Sequence, residues 1–370
     1  MPKYVIYGAG AIGGVAGARL FQHGIDVTLI ARGRHYKAIR DSGLRIRDPE
    51  SDNVIKVPIV NHPSNIVWTG DEIVLMTMKS QHTAAAVTDL ATFAPYATRV
   101  VAVQNGVSGE SDIARFFPHV YGACVASPTT FLEPGIVQAY SSPVTGLLDF
   151  GRYPFGTDDT TREIAEAFSQ STYDSRQIDD LMSWKWRKLL TNLSNAIEVV
   201  CGSGTRTSFI ADFARAEATV ALDAAGITYR SEQDDKDRRG DLLQFREIGG
   251  RPRPGGSTWQ SIARSAGSIE TSYLNGQIAV VGRANDVPTP VNSLLVRMCE
   301  VQNSVNGAAP QVTIEEFLTL LAATGGDLPD AIQAQIEADA ASLRPGVENF
   351  WTHHLGASVP AEPTSSSRHR

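Results

Sequence analysis

Along the first half of the chain, short apolar runs alternate with stretches of helical period. "KYVIY" at 3–7, "DVTLI" at 26–30, "EIVLMT" at 72–77 and "RVVAVQ" at 99–104 read as strands, and helix-period segments such as 12–22 and 82–93 follow several of them. That alternation implies a parallel sheet with covering helices. "VYGACVA" at 120–126 and "TGLLDFG" at 145–151 continue the sheet region before a polar stretch at 156–161. From about Asp179 the pattern changes to long helical runs at 179–200, 207–225, 257–283 and 289–304. The charge-dense segment 232–256 between them predicts a polar surface helix followed by a loop, and 313–324 and 328–343 are amphipathic helix candidates. The expected fold class is α/β: an N-terminal Rossmann-like doubly wound parallel sheet over 1–178 and a second, mainly α-helical domain over 179–304. A helical extension over 305–356 and a disordered tail over 357–370 complete the expected division.

The length of 370 residues supports two domains, since single cores stop growing at roughly 250–300 residues. With 42% hydrophobic and 20% charged residues, and Cys124, Cys201 and Cys299 far apart, the composition suits a soluble intracellular protein without disulfides or a metal cluster. Strand-forming residues from Tyr4 leave no room for a leader, and no apolar run approaches the ~18 residues of a membrane span, so a cytoplasmic protein without membrane contact is expected. The net charge of −7 exerts no pull toward phosphate backbones, which argues against nucleic acid as a partner. A helical second domain is compatible with a monomer or a homodimer.

Candidate chemistry begins in "VIYGAGAIGG", where Gly8, Gly10 and Gly13 form GxGxxG between a strand and a helix. The first glycine allows a tight turn, the second lets backbone approach a pyrophosphate, and the third lets helix and strand pack closely. Gly8, Gly10, Ala11, Ile12 and Gly13 are therefore candidate cofactor contacts; the plainer reading is a glycine-rich turn without a ligand. Where an NAD site offers a carboxylate at the end of the second strand, this chain reads "LIARGRHYKAIR". Arg32, with Arg34 nearby, is placed to pair with a 2′-phosphate, so NADPH is the expected cofactor; the alternative is surface arginines on a loop.

Lys79 in "MTMKSQHT" and Asn105 in "VQNGV" follow two further strands, at carboxyl ends where an open sheet binds ligands. In "WKWRKLLTNLSNAIEVV", Lys188, Asn192 and Asn195 fall at i, i+4 and i+7 and so share one face of a single helix. Their apolar neighbours imply a buried helix whose polar stripe needs partners, either a helix–helix seam or a ligand. Ser257 and Glu270 in "GGSTWQSIARSAGSIETSYLNG" add a hydroxyl that could donate to a substrate carboxylate and a carboxylate that could stabilise the Lys188 ammonium.

Taken in order, "YGAGAIGG", "IARG", "MKSQ", "VQNGV", "WRKLLTN" and "SIETSYLNG" resemble the ketopantoate reductase family, the NADPH-dependent 2-dehydropantoate 2-reductases, over residues 1 to about 290. The resemblance implies that Lys188 is the general acid and that Glu270 orients substrate and lysine. It also implies that Asn105 and Lys79 organise nicotinamide and substrate, and that Asn192 and Ser257 hold substrate oxygens. Three departures stand out. Family members usually carry a second asparagine at the position of Ala196 followed by proline, whereas here Asn195 comes one place early and no proline follows. The polar residue expected near "CGSGTRT" is not recognisable, and matching Ser257 needs one extra residue before Glu270, which makes Thr258 its rival. The implied activity is NADPH-dependent reduction of a 2-oxo acid, ketopantoate first. An opine-type or other 2-hydroxy-acid dehydrogenase and a non-catalytic NADPH-binding sensor are the alternatives.

Overall fold

Tyr4–Tyr7 (β1) set the plan of the first unit: Tyr4 and Ile6 enter one apolar cluster, Val5 and Tyr7 another. With side chains alternating along a strand, such a segment is fully buried only if both faces of its sheet are covered. The computed structural model describes residues 2–202, 204–263, 269–325 and 328–356. After β1 come α1 (Ala11–Gln22), β2 (Val27–Ile30), α2 (Gly33–Ser42), β3 (Leu44–Arg47), β4 (Asp52–Ile55), β5 (Ile59–Val60), β6 (Ile73–Met76), α3 (Thr83–Phe93) and β7 (Arg99–Ala102). Then follow α4 (Gly109–Ala114), β8 (His119–Ala126), β9 (Thr129–Thr130), β10 (Ile136–Ala139), β11 (Gly146–Arg152), α5 (Asp159–Ser169), β12 (Tyr173–Asp174) and α6 (Leu181–Asn192). The remainder is helical: α7 (Asn195–Cys201), α8 (Phe209–Ala224), α9 (Glu232–Arg239), α10 (Ser257–Ala263), α11 (Asn275–Ala284), α12 (Pro290–Ser304), α13 (Ile314–Ala323), α14 (Asp330–Asp339) and α15 (Pro345–Leu355). The fold is thus a Rossmann-like α/β sheet followed by a mostly helical C-terminal part.

The chain forms two compact units, one of the residues up to Thr191 with Thr228–Gln260, the other of Asn192–Ile227 with the described residues from Ser261 onward. Helix α6, placed from sequence with the helical domain, belongs to the first unit up to Thr191.

The eight-stranded sheet of the first unit has the order β12-β11-β8-β7-β6-β1-β2-β5. From β5 to β8 all neighbours are parallel. The chain leaves β1 for β2 on one side and later returns to β6 on the other, so the strand order reverses at β1. Sheets of this kind bind ligands outside the carboxyl ends of the strands at that reversal. Helices α1 and α5 cover one face, α3 and α4 the other.

Two features depart from a purely parallel sheet. The "TGLLDFG" segment, β11, runs antiparallel to β8 because the chain between them forms β9 and β10 rather than the helical crossover that a parallel return requires. Those strands join a second, four-stranded sheet, β4-β3-β10-β9, packed on α1; a Cβ at Gly14 would lie 2.7 Å from Val137 Cγ1. Strands this short carry too little apolar pattern to be recognised locally.

In the second unit, Glu217 of α8 receives the first-turn N–H groups of α12, from Val291 at 2.8 Å and Asn292 at 3.0 Å, as well as Asn292 Nδ2 at 2.8 Å. Asn275 Nδ2 donates to Asn292 Oδ1 (3.0 Å) and to the Leu193 carbonyl (3.2 Å). The expected run 257–283 is not one helix: α10 and α11 are separate, with Thr271–Tyr273 a single 3-10 turn, as suits a stretch rich in turn-forming Ser, Thr and Asn. The extension packs as α13, α14 and α15. Trp351 is fully buried and donates to the Pro310 carbonyl at 2.9 Å, and the Arg344 fork closes on Glu316 at 2.7 Å through Nε and Nη2. Helix α15 falls within the expected helical extension but was not delimited there, because its buried contacts reduce to Val347 and Trp351. The expected tail 357–370 lies outside the described residues. Among the described residues no helix is long and apolar enough to cross a membrane, and no group of His, Cys, Asp and Glu could hold a metal.

Candidate functional site

The glycine turn joins β1 to α1 with Gly8 at φ +111°, a conformation L side chains rarely adopt, and a Cβ there would sit 2.7 Å from the Met78 amide nitrogen. A Cβ on Gly13 would collide with the Thr77 side chain, whose hydroxyl donates to the Gly8 carbonyl at 2.7 Å. Thr77 thereby ties the end of β6 to the turn. Gly10 differs: the nearest atom to a Cβ there is Phe131 Cδ1 at 3.9 Å, so open space lies over its backbone. The N–H groups of Ala11, Ile12 and Gly13 open α1 and have no intrahelical acceptor, and its first turn has no acidic residue. A close backbone surface, first-turn amides and the positive end of a helix dipole together fit the pyrophosphate of a dinucleotide.

Arg32 stands two residues beyond β2 at the N-cap of α2. Its Nη2 donates to the Tyr7 hydroxyl at 2.8 Å and to Asp89 Oδ2 at 3.0 Å, with the guanidinium carbon 5.9 Å from the Tyr7 ring centroid. Burial pushes the Tyr7 hydroxyl above its usual range, more than the nearby Arg32 charge lowers it. Arg34 is exposed. The chain carries no carboxylate at the end of β2, but the fold brings Asp89 of α3 to Arg32.

Lys79, half-buried, leads into a 3-10 turn directly after β6, and Asn105, also half-buried, follows β7. Because β6 and β7 are parallel neighbours, both residues emerge on the carboxyl edge beside the glycine turn. Ser80 Oγ donates to the Asn105 carbonyl at 3.1 Å, and buried Gln104 reaches Thr83 Oγ1 at 3.1 Å and Met78 Sδ at 3.4 Å, so the two loops are stitched together.

Helix α6 supplies Lys188, half-buried on a cavity of about 20 Å³, enough for one water. Cys124 and Ala126 of β8, Leu147 and Asp149 of β11, Trp184, and Asp235, Arg238 and Arg239 of α9 complete its lining. Since β8 is parallel to β7, its carboxyl end shares the edge that holds Lys79 and Asn105. Burial pushes the Cys124 thiol up to about 11, which keeps it neutral. Asp149 takes the Arg238 fork at 2.7 and 2.6 Å; burial raises its carboxyl further than that fork lowers it. Helix α9, expected on the surface, thus has Arg238 buried.

Asn192 lies one turn beyond Lys188, and among the described residues its buried Nδ2 has no acceptor. Asn195 does not share that helix. The chain turns at Leu193–Ser194 and α7 starts afresh at Asn195, so residues 188–195 are not one continuous helix. Ser194 keeps right-handed angles (φ −68°, ψ −11°). Glu270, 7% exposed, stands at the residue preceding the 3-10 turn in the second unit. Ser257 opens α10 with its side chain outside the described part of the structure, and Thr258 is buried.

Sequence reasoning did not single out Thr77, Asp89, Asp149 or the buried ion pair between Lys185 of α6 and Glu110 of α4. Only Thr77 had a local signal, its place at a strand end two residues before Lys79.

The family profile described as ketopantoate reductase PanE/ApbA matches residues 4–153, and its C-terminal counterpart matches residues 180–303. The 2-dehydropantoate 2-reductase of Pyrococcus horikoshii is 26% identical over 317 residues, spanning 83% of this chain and 99% of that protein. A crystal structure of a PanE/ApbA family ketopantoate reductase from Ralstonia eutropha superimposes with a TM-score of 0.69 at 25% identity, over 82% of this chain and 99% of that one. A D-mandelate dehydrogenase solved with NADH and anilino(oxo)acetate shares the fold, with a TM-score of 0.69 at 20% identity over 83% of this chain and 100% of that one. With both profiles matched in order across most of its length, the chain belongs to the ketopantoate reductase family.

Proposed function

We propose that the protein is an NADPH-dependent reductase of a 2-oxo acid, with ketopantoate as substrate, pantoate as product and pantothenate synthesis as the pathway. The observation that carries this reading is the gathering of the glycine turn, Arg32, Lys79, Asn105 and Lys188 along the carboxyl edge of the parallel strands of one sheet. Gly8, Gly10, Ala11, Ile12 and Gly13 would hold the pyrophosphate and Arg32 the 2′-phosphate. The cofactor, when bound, supplies a hydride to the keto carbon. Lys188 carries the proton: its ammonium stabilises negative charge growing on the carbonyl oxygen and delivers Nζ–H to it. Lys79 and Asn105 orient the reacting groups. The unsatisfied Asn192 amide suits a substrate oxygen, with Ser257 or Thr258 as a second donor, and the family resemblance gives Glu270 an orienting role.

A second reading keeps the reaction and changes the acid. It is favoured by Ala196, 1% exposed where family members usually carry asparagine, and by the bend before Asn195. Steady-state oxidation of NADPH and NADH with ketopantoate and a panel of other bulky 2-oxo acids separates the two. Fast turnover of ketopantoate with NADPH is the expected result. A clear preference for another acid would move the substrate assignment, and no turnover with any 2-oxo acid would sink the reductase reading.

A further inference from the structure

Arg32 carries the preference for a phosphorylated cofactor, and its charge is shared. Nη2 serves two acceptors, the Tyr7 hydroxyl at 2.8 Å and Asp89 Oδ2 at 3.0 Å, and His62 Nε2 lies 3.8 Å from the same carboxylate oxygen. Arg32 and Asp89 are 59% and 40% exposed, so the pair adds little to stability. Nor does Arg32 need Asp89 for its orientation, because Tyr7 fixes it twice, through the hydroxyl and through the ring face. What Asp89 contributes is charge. Its carboxylate neutralises the guanidinium and repels a dianionic 2′-phosphate brought to Arg32, whereas a 2′-hydroxyl has no charge to be repelled and a proton to donate.

We propose that Asp89 is a cofactor-selectivity residue, which holds down the preference for NADPH over NADH by occupying part of the Arg32 charge. This rests on the reading of Arg32 as the partner of the 2′-phosphate. Asp89→Asn keeps the shape and one acceptor oxygen while removing the charge. Titration of NADPH and of NADH, followed by quenching of tryptophan fluorescence, gives Kd for the parent, Asp89→Asn, Arg32→Ala and the double variant. In Asp89→Asn, Kd for NADPH should fall by about three- to tenfold at low salt and by less at high salt, with Kd for NADH unchanged. In the Arg32→Ala background the same substitution should shift the NADPH to NADH ratio far less.

Weaker NADPH binding in Asp89→Asn would overturn the proposal and make Asp89 a support for Arg32. An unchanged ratio between the two cofactors would overturn it as well. If Arg32→Ala leaves that ratio at the parental value, the underlying reading of Arg32 fails, whatever Asp89 does.

Discussion

Replacing Lys185 by methionine should destabilise the first unit by about 3–5 kcal/mol, the cost of leaving a buried carboxylate without its counter-ion. The Lys185 side chain is 3% exposed and that of Glu110 is 0% exposed. The backbone packs close against this carboxylate, since a Cβ added to Gly122 would lie 2.6 Å from Glu110 Oε1. Glu110 Oε2 also lacks a hydrogen-bond partner among the described residues, so the carboxylate depends heavily on Lys185. Methionine fills much the same volume as the lysine stem, so the loss is electrostatic rather than a cavity effect.

The companion variant Lys185→Met with Glu110→Leu removes both charges and should recover most of the stability, because an apolar replacement of a buried pair is often neutral or stabilising. Urea unfolding followed by the fluorescence of Trp184 and Trp186, which flank Lys185 in sequence, measures all members of the cycle. For a unit of this size the single substitution should also lower Tm by about 6–20 °C. A single variant within about 1 kcal/mol of the parent, or a double variant no better than the single, would refute the argument.

Lys188→Ala should lower turnover by about 10²–10⁴ while the Kd for NADPH is kept; a variant turning over at the parental rate removes Lys188 as the acid. Gly10→Ala has room for its methyl in the protein alone, so unfolding should change little, yet the methyl sits where a pyrophosphate must approach; NADPH binding at the parental Kd would contradict the cradle. Burial pushes Glu217 up to about 7, against the hydrogen bonds that lower it, from an ordinary value of 4.5. The folded protein therefore holds that proton more tightly than the unfolded chain. Stability from this group is greatest below pH 4.5 and declines as pH rises through 7, by about 3 kcal/mol in all. Urea unfolding of Glu217→Gln from pH 5 to 8 should show a flatter profile than the parent, and parallel profiles would rule this out.

Strands β1 and β6 were legible because each is buried on both faces and so leaves an unbroken apolar run, and β2 and β7 because only Thr28 and Arg99 interrupt theirs. The glycine turn was legible because contact with Thr77 and Met78 leaves no room for a Cβ at Gly13 or Gly8. The second sheet and the bounds of α15 were not, their buried faces being too short to show a period. The bend at Leu193–Ser194 was hidden for another reason: Leu193, Ala196 and Ile197 are all buried, so the apolar pattern runs across the break unchanged.

The sequence by itself determined where backbone must turn tightly, which segments alternate between sheet and helix, and which cations and amides fall at strand ends. Those are local properties of sterics and periodicity. Only the tertiary structure decided what stands opposite them. Asp89 meets Arg32 across 57 residues, Glu110 meets Lys185 across 75, and Asp149 meets Arg238 across 89. A charge reveals along the chain that it must be solvated or paired, but its partner is chosen by how strands and helices stack. That choice set the charge left on Arg32 and gave the Lys185 ammonium its counter-ion.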